Sequence, residues 1–276
     1  MRTETAVDVV VSTPKLFLML PLMATFAYVS LLGLTYVSQR ALLYPGAGPT
    51  LETGYVSWGE SISIGTPDGE RLQGLYSPAR PGKPSLLFFL GNADRVNNYD
   101  FLAQALASRG IGLLAISYRG YPGSTGAPSE AGLLTDGIAA FDWLAERTGV
   151  DIVLLGQSLG SGVAVNTARL RPASAAILVS PYLSVLSLAQ AYYPLFPVAL
   201  LIKDSFRSDL RIAEVSQPKL FLHGRRDAII PLSSAEALYD LALEPKQMLV
   251  YDNSGHNDLW DARMVADIIR FVEALK

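Results

Sequence analysis

The apolar positions of this chain follow two different patterns. From Leu16 to Val37 there are 22 residues without a charge. As a helix rising ~1.5 Å per residue, that run would reach ~33 Å, about the thickness of a bilayer's hydrocarbon core. Beyond residue 41 the pattern changes to short apolar runs separated by helical periodicity. Ser85–Leu90, Ile111–Ser117, Asp151–Gln157, Ala175–Val179, Lys219–Leu222 and Lys246–Tyr251 read as strands. Helices are expected near Tyr99–Ser108, Glu130–Arg147, Gly160–Arg169 and Leu259–Leu275. Val56–Gly65 and Arg71–Ser77 read as a hairpin around Pro67-Asp68-Gly69. Continuous apolar strands alternating with helices define an α/β fold, a mostly parallel sheet with helices on both faces. Ser233 with Glu236 predicts a capping box for the helix after Pro231.

Residues 1–40 therefore read as a tail and transmembrane anchor, and residues 41–276 as one folded domain. The rival reading of the apolar run is a cleaved signal peptide, with Thr25-Phe26-Ala27 as a small-x-small cleavage pattern. The run continues ten residues past Ala27, which favours an uncleaved anchor over a signal peptide or a buried core helix. Arg2 and Lys15 precede the span, and Arg40 alone follows it closely, the next basic residue being Arg71. That asymmetry predicts a single-pass membrane protein with a cytoplasmic N-terminus and an exported domain.

One segment breaks the alternation of strands and helices. Residues 181–210 lie between two expected strands and carry Tyr192, Tyr193, Leu195, Phe196, Leu200 and Leu201. Insertions of this length often work as lids or binding surfaces. The expectation is a lid-like insertion that walls the acyl side of a site and lies near the membrane. Ordinary packing helices are the alternative.

Composition narrows the chemistry. The 22 Lys and Arg against 25 Asp and Glu give a net charge of -3, without the basic excess of a nucleic-acid binder. There is no cysteine, which excludes disulfides, zinc ribbons and Cys nucleophiles, and there are only two histidines, His223 and His256. No H-E-x-x-H occurs, and the loop with Gly120, Gly123 and Gly126 lacks the Lys-Ser/Thr ending of a phosphate loop. No metal or cofactor is implied.

Gly156-Gln157-Ser158-Leu159-Gly160 is a G-x-S-x-G pentapeptide. It follows an apolar strand and opens a helical segment, the context in which a strained turn presents a serine hydroxyl above a sheet. The helix N-terminus behind it suits a developing oxyanion. Serine is a poor nucleophile at neutral pH and needs a base. His256 lies in the polar loop Asn253–Asp258 after the last strand, whereas His223 closes a strand. His256 is favoured, because in this architecture the acid falls between serine and histidine along the chain. Asp227, in Gly224-Arg225-Arg226-Asp227, is the favoured acid. Asp204 has nothing rigid expected to hold it, Asp252 precedes the histidine too closely, and Asp258 could equally cap the last helix.

On these residues the chain resembles α/β-hydrolase serine hydrolases from about residue 42 onward. It is most similar to the membrane-anchored, bud-emergence-type group near the serine aminopeptidase-like hydrolases. The matching pieces include Leu90-Gly91-Asn92-Ala93, Tyr118-Arg119-Gly120-Tyr121, Gly156–Gly160, Gly224–Asp227, Gly255–Asp258 and the junction Gln39–Pro45. The resemblance implies an α/β-hydrolase fold and hydrolysis of an ester or thioester, with a small-molecule or lipid-like acyl substrate. It places the oxyanion hole at the backbone N–H groups of Leu159 and Asn92. Two departures stand out. Leu90 replaces the family's usual His before Gly91, so altered rigidity is expected in that loop. Ser117 stands where the group often has Asp, and the turn filled by Arg119 reads as structural. A tethered, non-catalytic binding protein and a peptidase acting on short peptides are the alternatives.

Overall fold

The computed structural model describes residues 13–48, 57–149 and 151–275, with side chains from residue 19 onward. The chain divides into two compact units, Met1–Gln39 and Arg40–Lys276. The first unit contains most of helix α1 (Thr13–Leu43), whose side chains from Met19 onward are largely exposed despite being apolar. A long, exposed helix with apolar residues all round matches a membrane span by length and composition.

The second unit is built on an eight-stranded sheet. In chain order the strands are β1 (Glu60–Gly65), β2 (Arg71–Ser77), β3 (Ser85–Phe89), β4 (Gly112–Ile116), β5 (Ile152–Gln157), β6 (Ala175–Val179), β7 (Lys219–Gly224) and β8 (Lys246–Tyr251). Their spatial order is β1-β2-β4-β3-β5-β6-β7-β8. β2 pairs antiparallel with β1 and β4, and every later pairing is parallel. β3 to β7 are buried along their whole length, which explains their continuous apolar runs; edge strands β1 and β8 are only partly covered.

The crossovers place the helices. From β3 through α2 (Asp100–Ser108) the chain steps one way along the sheet to β4. From β4 through α3 (Glu130–Thr148) it steps back past β3 to β5. Right-handed crossovers in opposite directions put their helices on opposite faces. Accordingly α3 packs against α4 (Leu159–Leu170), while α2 packs against the last helix, Ala262–Glu273, which carries its buried Met264, Val265, Ile268, Ile269 and Val272 on one stripe. The reversal between β3 and β5 is the switch point of the sheet, where loops from neighbouring strands diverge and leave a crevice at the carboxyl ends.

Between β6 and β7 the chain forms α5 (Val185–Tyr192) and the single turn α6 (Val198–Leu201); α7 (Leu232–Leu241) follows β7, and α8 (Ala262–Glu273) ends the domain. Helix ends follow the sequence in three cases. Ser129 accepts from the Gly132 N–H to open α3, Asp261 from the Met264 N–H to open α8, and Ser184 from the Ser187 N–H to open α5. The capping box expected at Ser233 does not form. Helix α7 begins two residues earlier than a Ser233 cap requires, with Pro231 at its cap and no side-chain cap bond, so Ser233 lies inside the first turn. The neighbouring Ser234 hydroxyl instead accepts from the Leu183 N–H. The first part of the predicted hairpin, up to Val56, falls outside the described residues.

Arg119 fills its turn structurally, as its sequence context implies. Its Nε lies 2.8 Å from buried Asp136 and its Nη1 2.6 Å from Asp68, tying the β1–β2 hairpin to α3. The Ser117 hydroxyl donates to the Pro122 carbonyl at 2.8 Å and closes the same loop.

Candidate active site

Four strand ends supply the expected site residues: Asn92 after β3, Ser158 after β5, Asp227 after β7 and His256 after β8. Ser158 has φ 49° and ψ −118°, a left-handed-side conformation that L residues rarely adopt. Strand and helix approach each other closely around it. A Cβ on Gly160 would lie 2.1 Å from the Phe89 carbonyl oxygen, and one on Gly156 would lie 2.5 Å from that of Gly160. Only glycine fits either position. The turn is held by the Ser158 N–H donating to the Val179 carbonyl at 2.8 Å and by the Ser161 N–H donating back to the Ser158 carbonyl at 2.9 Å.

Asp227 and His256 are brought together. His256 Nδ1 lies 2.7 Å from Asp227 Oδ2. An ionised carboxylate only accepts, so Nδ1 carries the proton and Nε2 of the neutral ring is left with its lone pair. The other Asp227 oxygen accepts from the N–H groups of Ile229 at 2.9 Å and Ile230 at 2.7 Å. Burial acts to raise the Asp227 carboxyl, but the His256 ring and the Ile230 and Ile229 amides outweigh it, and the net displacement is downward. The Asp227 loop is stitched to the His256 loop, with Arg226 N–H donating to Ser254 O at 3.0 Å. Among the described residues, neither the Ser158 hydroxyl nor His256 Nε2 makes a hydrogen bond.

The rejected carboxylates all have other partners. Asp258 accepts from the Gly255 N–H at 2.5 Å, within its own loop. Asp252 faces Arg225 at 2.6 Å on the surface. Asp204 corrects the expectation that nothing rigid holds it. It is only 4% exposed, accepts Arg40 Nε at 2.8 Å and the Glu130 N–H at 2.9 Å, and lies in a segment whose Ser205 and Phe206 N–H groups bind the Glu130 carboxylate. The carboxylates of Asp204 and Glu130 anchor backbone and are committed to structure.

His223 is also committed. It is wholly buried in β7, and its Nε2 donates to the Ile230 carbonyl at 2.9 Å. Its 3.6 Å separation from Asp227 Oδ2 is too long for a hydrogen bond, and its Nδ1 has no hydrogen-bond partner among the described residues. Desolvation lowers its pKa against the pull of Ile230 and Asp227, which keeps it neutral.

The N–H groups of Leu159 and Asn92 meet no backbone acceptor among the described residues. The loop carrying Asn92 is braced without the family's usual histidine. Leu90 is buried, and its carbonyl accepts from Tyr118 Oη at 3.0 Å. The Asn92 carbonyl accepts from Tyr121 Oη at 2.7 Å and the Gly46 N–H at 3.1 Å, while its side-chain amide donates to Leu43 O at 3.0 Å. Sequence reasoning missed these braces, and it missed Gln157, the residue before the serine, whose amide lies 2.6 Å from the Tyr99 hydroxyl. The aromatic pairs Tyr118-x-x-Tyr121 and the neighbouring Tyr99 were the available signal. No group of three or more His, Asp or Glu suited to a metal ion occurs among the described residues.

The comparisons with known proteins agree with this architecture. Residues 81–214 match the family described as serine aminopeptidase, S33. An uncharacterised protein of Mycobacterium tuberculosis is 39% identical over 262 residues, covering 91% of this chain and 93% of that protein. The Arabidopsis thaliana alpha/beta hydrolase domain-containing protein WAV2 is 30% identical over 225 residues, covering 73% of each. Among solved structures, the Pyrococcus furiosus esterase Pf2001 superposes with TM-score 0.68 at 16% identity, over 83% of this chain and 97% of that one. The chain belongs to the α/β-hydrolase superfamily.

Proposed function

We propose that this chain is a membrane-anchored serine hydrolase that cleaves a carboxylic ester or thioester. The observation that carries the reading is the pairing of a strained serine elbow (φ 49°) with a histidine fixed at 2.7 Å from a buried carboxylate. In this reading Ser158 Oγ attacks the carbonyl carbon as His256 Nε2 takes its proton. Asp227 holds the ring and stabilises the imidazolium, and the N–H groups of Leu159 and Asn92 receive the oxyanion. The imidazolium then protonates the departing alkoxide or thiolate, leaving an acyl-serine. His256 next deprotonates a water that attacks this ester, and the proton returns to Ser158 as the acid leaves. α1 holds the domain at the bilayer, with the N-terminus cytoplasmic and the domain exported. Peptidase action on short peptides is the second reading, favoured by the description of the matched family.

The test is turnover of matched acyl esters, acyl thioesters and aminoacyl amides by the full-length protein in detergent and by Ser158→Ala. The expected result is ester or thioester cleavage, falling on the order of 10⁴–10⁶-fold in the variant. Cleavage of the amides alone would favour the peptidase. Cleavage undiminished in Ser158→Ala would contradict the mechanism.

A further inference from the structure

The segment between β6 and β7 carries the most exposed large apolar side chains of the second unit. Leu195 and Leu200 are 82% and 85% exposed, as open as Phe26 and Val37 of α1 at 75% and 76%. The rings of Tyr192 and Tyr193 are exposed beside them, and Tyr193 stacks on Phe196 at 5.8 Å between centroids. From Pro181 to Ile202 the chain has no charged residue, and Lys203 follows directly.

Side chains exposed to this degree face solvent rather than the domain's interior. They are nevertheless held in place. The Tyr192 hydroxyl lies 3.0 Å and 2.9 Å from the carbonyls of Ala228 and Ile229, so its ring faces out while its polar end is satisfied. At the segment's exit, Asp204 accepts Arg40 Nε at 2.8 Å and Arg40 Nη2 at 3.3 Å. Arg40 lies three residues past the uncharged run of α1, about one helical turn. The residue that closes the apolar span is thus bonded to the base of the exposed apolar segment.

We infer that Tyr192, Tyr193, Leu195 and Leu200 form a ridge that docks in the interfacial layer of the lipid bilayer. The occupant is lipid, because the chain's own apolar run ends about one turn before Arg40, which is bonded to the ridge's base. The chemistry also fits an interface. Leucines supply apolar area, tyrosines prefer the headgroup level, and the ridge itself carries no charged residue. The inference rests on the anchor reading of α1 and is independent of catalysis.

The natural chain has no cysteine, so single cysteines can be labelled cleanly. Leu195→Cys and Leu200→Cys would each carry a polarity-sensitive nitrobenzoxadiazole label on the full-length protein. Phe26→Cys reports the span. Leu243→Cys, 49% exposed in the loop before β8 at the opposite ends of the strands, is the reference for an apolar surface position facing water. Each protein is reconstituted in phosphatidylcholine–phosphatidylglycerol vesicles containing phospholipids with doxyl quenchers both near the headgroup and deep in the acyl chain. The expected result is quenching at positions 195 and 200 within about twofold of that at position 26, with position 243 little affected. Quenching at 26, with 195 and 200 no higher than 243, would overturn the docking and leave the anchor intact. Equal quenching at 195, 200 and 243 would reflect non-specific adsorption and overturn it too. Lack of quenching at 26 would remove the anchor on which the inference rests.

Discussion

Two regions above the carboxyl ends of the sheet are built on opposite principles. The loops with Asn92, Ser158, Asp227 and His256 follow directly from strand ends, and the Asp227 and His256 loops are tied to each other by the Arg226 N–H donating to the Ser254 carbonyl. The 181–210 segment leaves the sheet on a long excursion. None of the residues of α5 is buried, and the segment is fastened mainly near its ends, through Leu183 on one side and Asp204 and Ser205 on the other. The contrast shows how one fold separates two demands. Chemistry needs atoms fixed to a fraction of an ångström, and strand ends supply that. Meeting a substrate or a lipid surface needs apolar area, and an insertion supplies it without disturbing the strands.

Substitutions can break the comparison from either side. The largest effect is expected at His256: His256→Ala should lower kcat on a soluble ester nearly as far as loss of the nucleophile, on the order of 10⁴-fold or more. His223→Ala should keep substantial activity in whatever fraction folds. A silent but folded His223→Ala enzyme would move the base. Asp227→Asn should cost ~10³–10⁴-fold in kcat through the wrong imidazole tautomer, while Asp258→Asn costs far less. Steady-state kinetics with circular dichroism on each variant decides this.

On the insertion side, soluble esters of graded acyl length should show kcat/KM rising by at most about fourfold per methylene and then levelling, since a buried methylene is worth ~0.8 kcal/mol. Leu195→Ser combined with Leu200→Ser should leave that profile within about twofold while lowering turnover of the same ester presented in vesicles. A flat profile in the wild type would assign the segment to docking and packing alone.

The smallest effect concerns pH. Folded His223 stays neutral because burial lowers its pKa, whereas the unfolded chain takes up that proton below about pH 6.5. This contribution to stability is complete above that pH and is lost as pH falls through it. Its slope cannot exceed about 1.4 kcal/mol per pH unit. Thermal midpoints should fall between pH 7.5 and pH 5.5, and less steeply in His223→Asn. An unchanged slope in the variant would place the linkage elsewhere.

The sequence made the strands and the tight serine turn readable because both rest on local pattern. Buried strands are continuous apolar runs, and the serine elbow needs small residues at Gly156 and Gly160. Partnerships between distant residues were not readable. Asp204 reads as an unattached loop carboxylate until Arg40, 164 positions earlier, is seen to hold it. Leu90 reads as a weakened loop until the tyrosines of a neighbouring turn are seen to brace it. The direction in which Leu195 and Leu200 face also depends on the tertiary path, which composition alone does not encode.

The most direct test of the central claim is to treat the full-length protein with a fluorophosphonate and map the adduct by peptide mass spectrometry. The account predicts one phosphonate, on Ser158, absent from Ser158→Ala and strongly reduced in His256→Ala. An unmodified Ser158 in folded wild-type protein, or labelling that persists in folded Ser158→Ala, would contradict it.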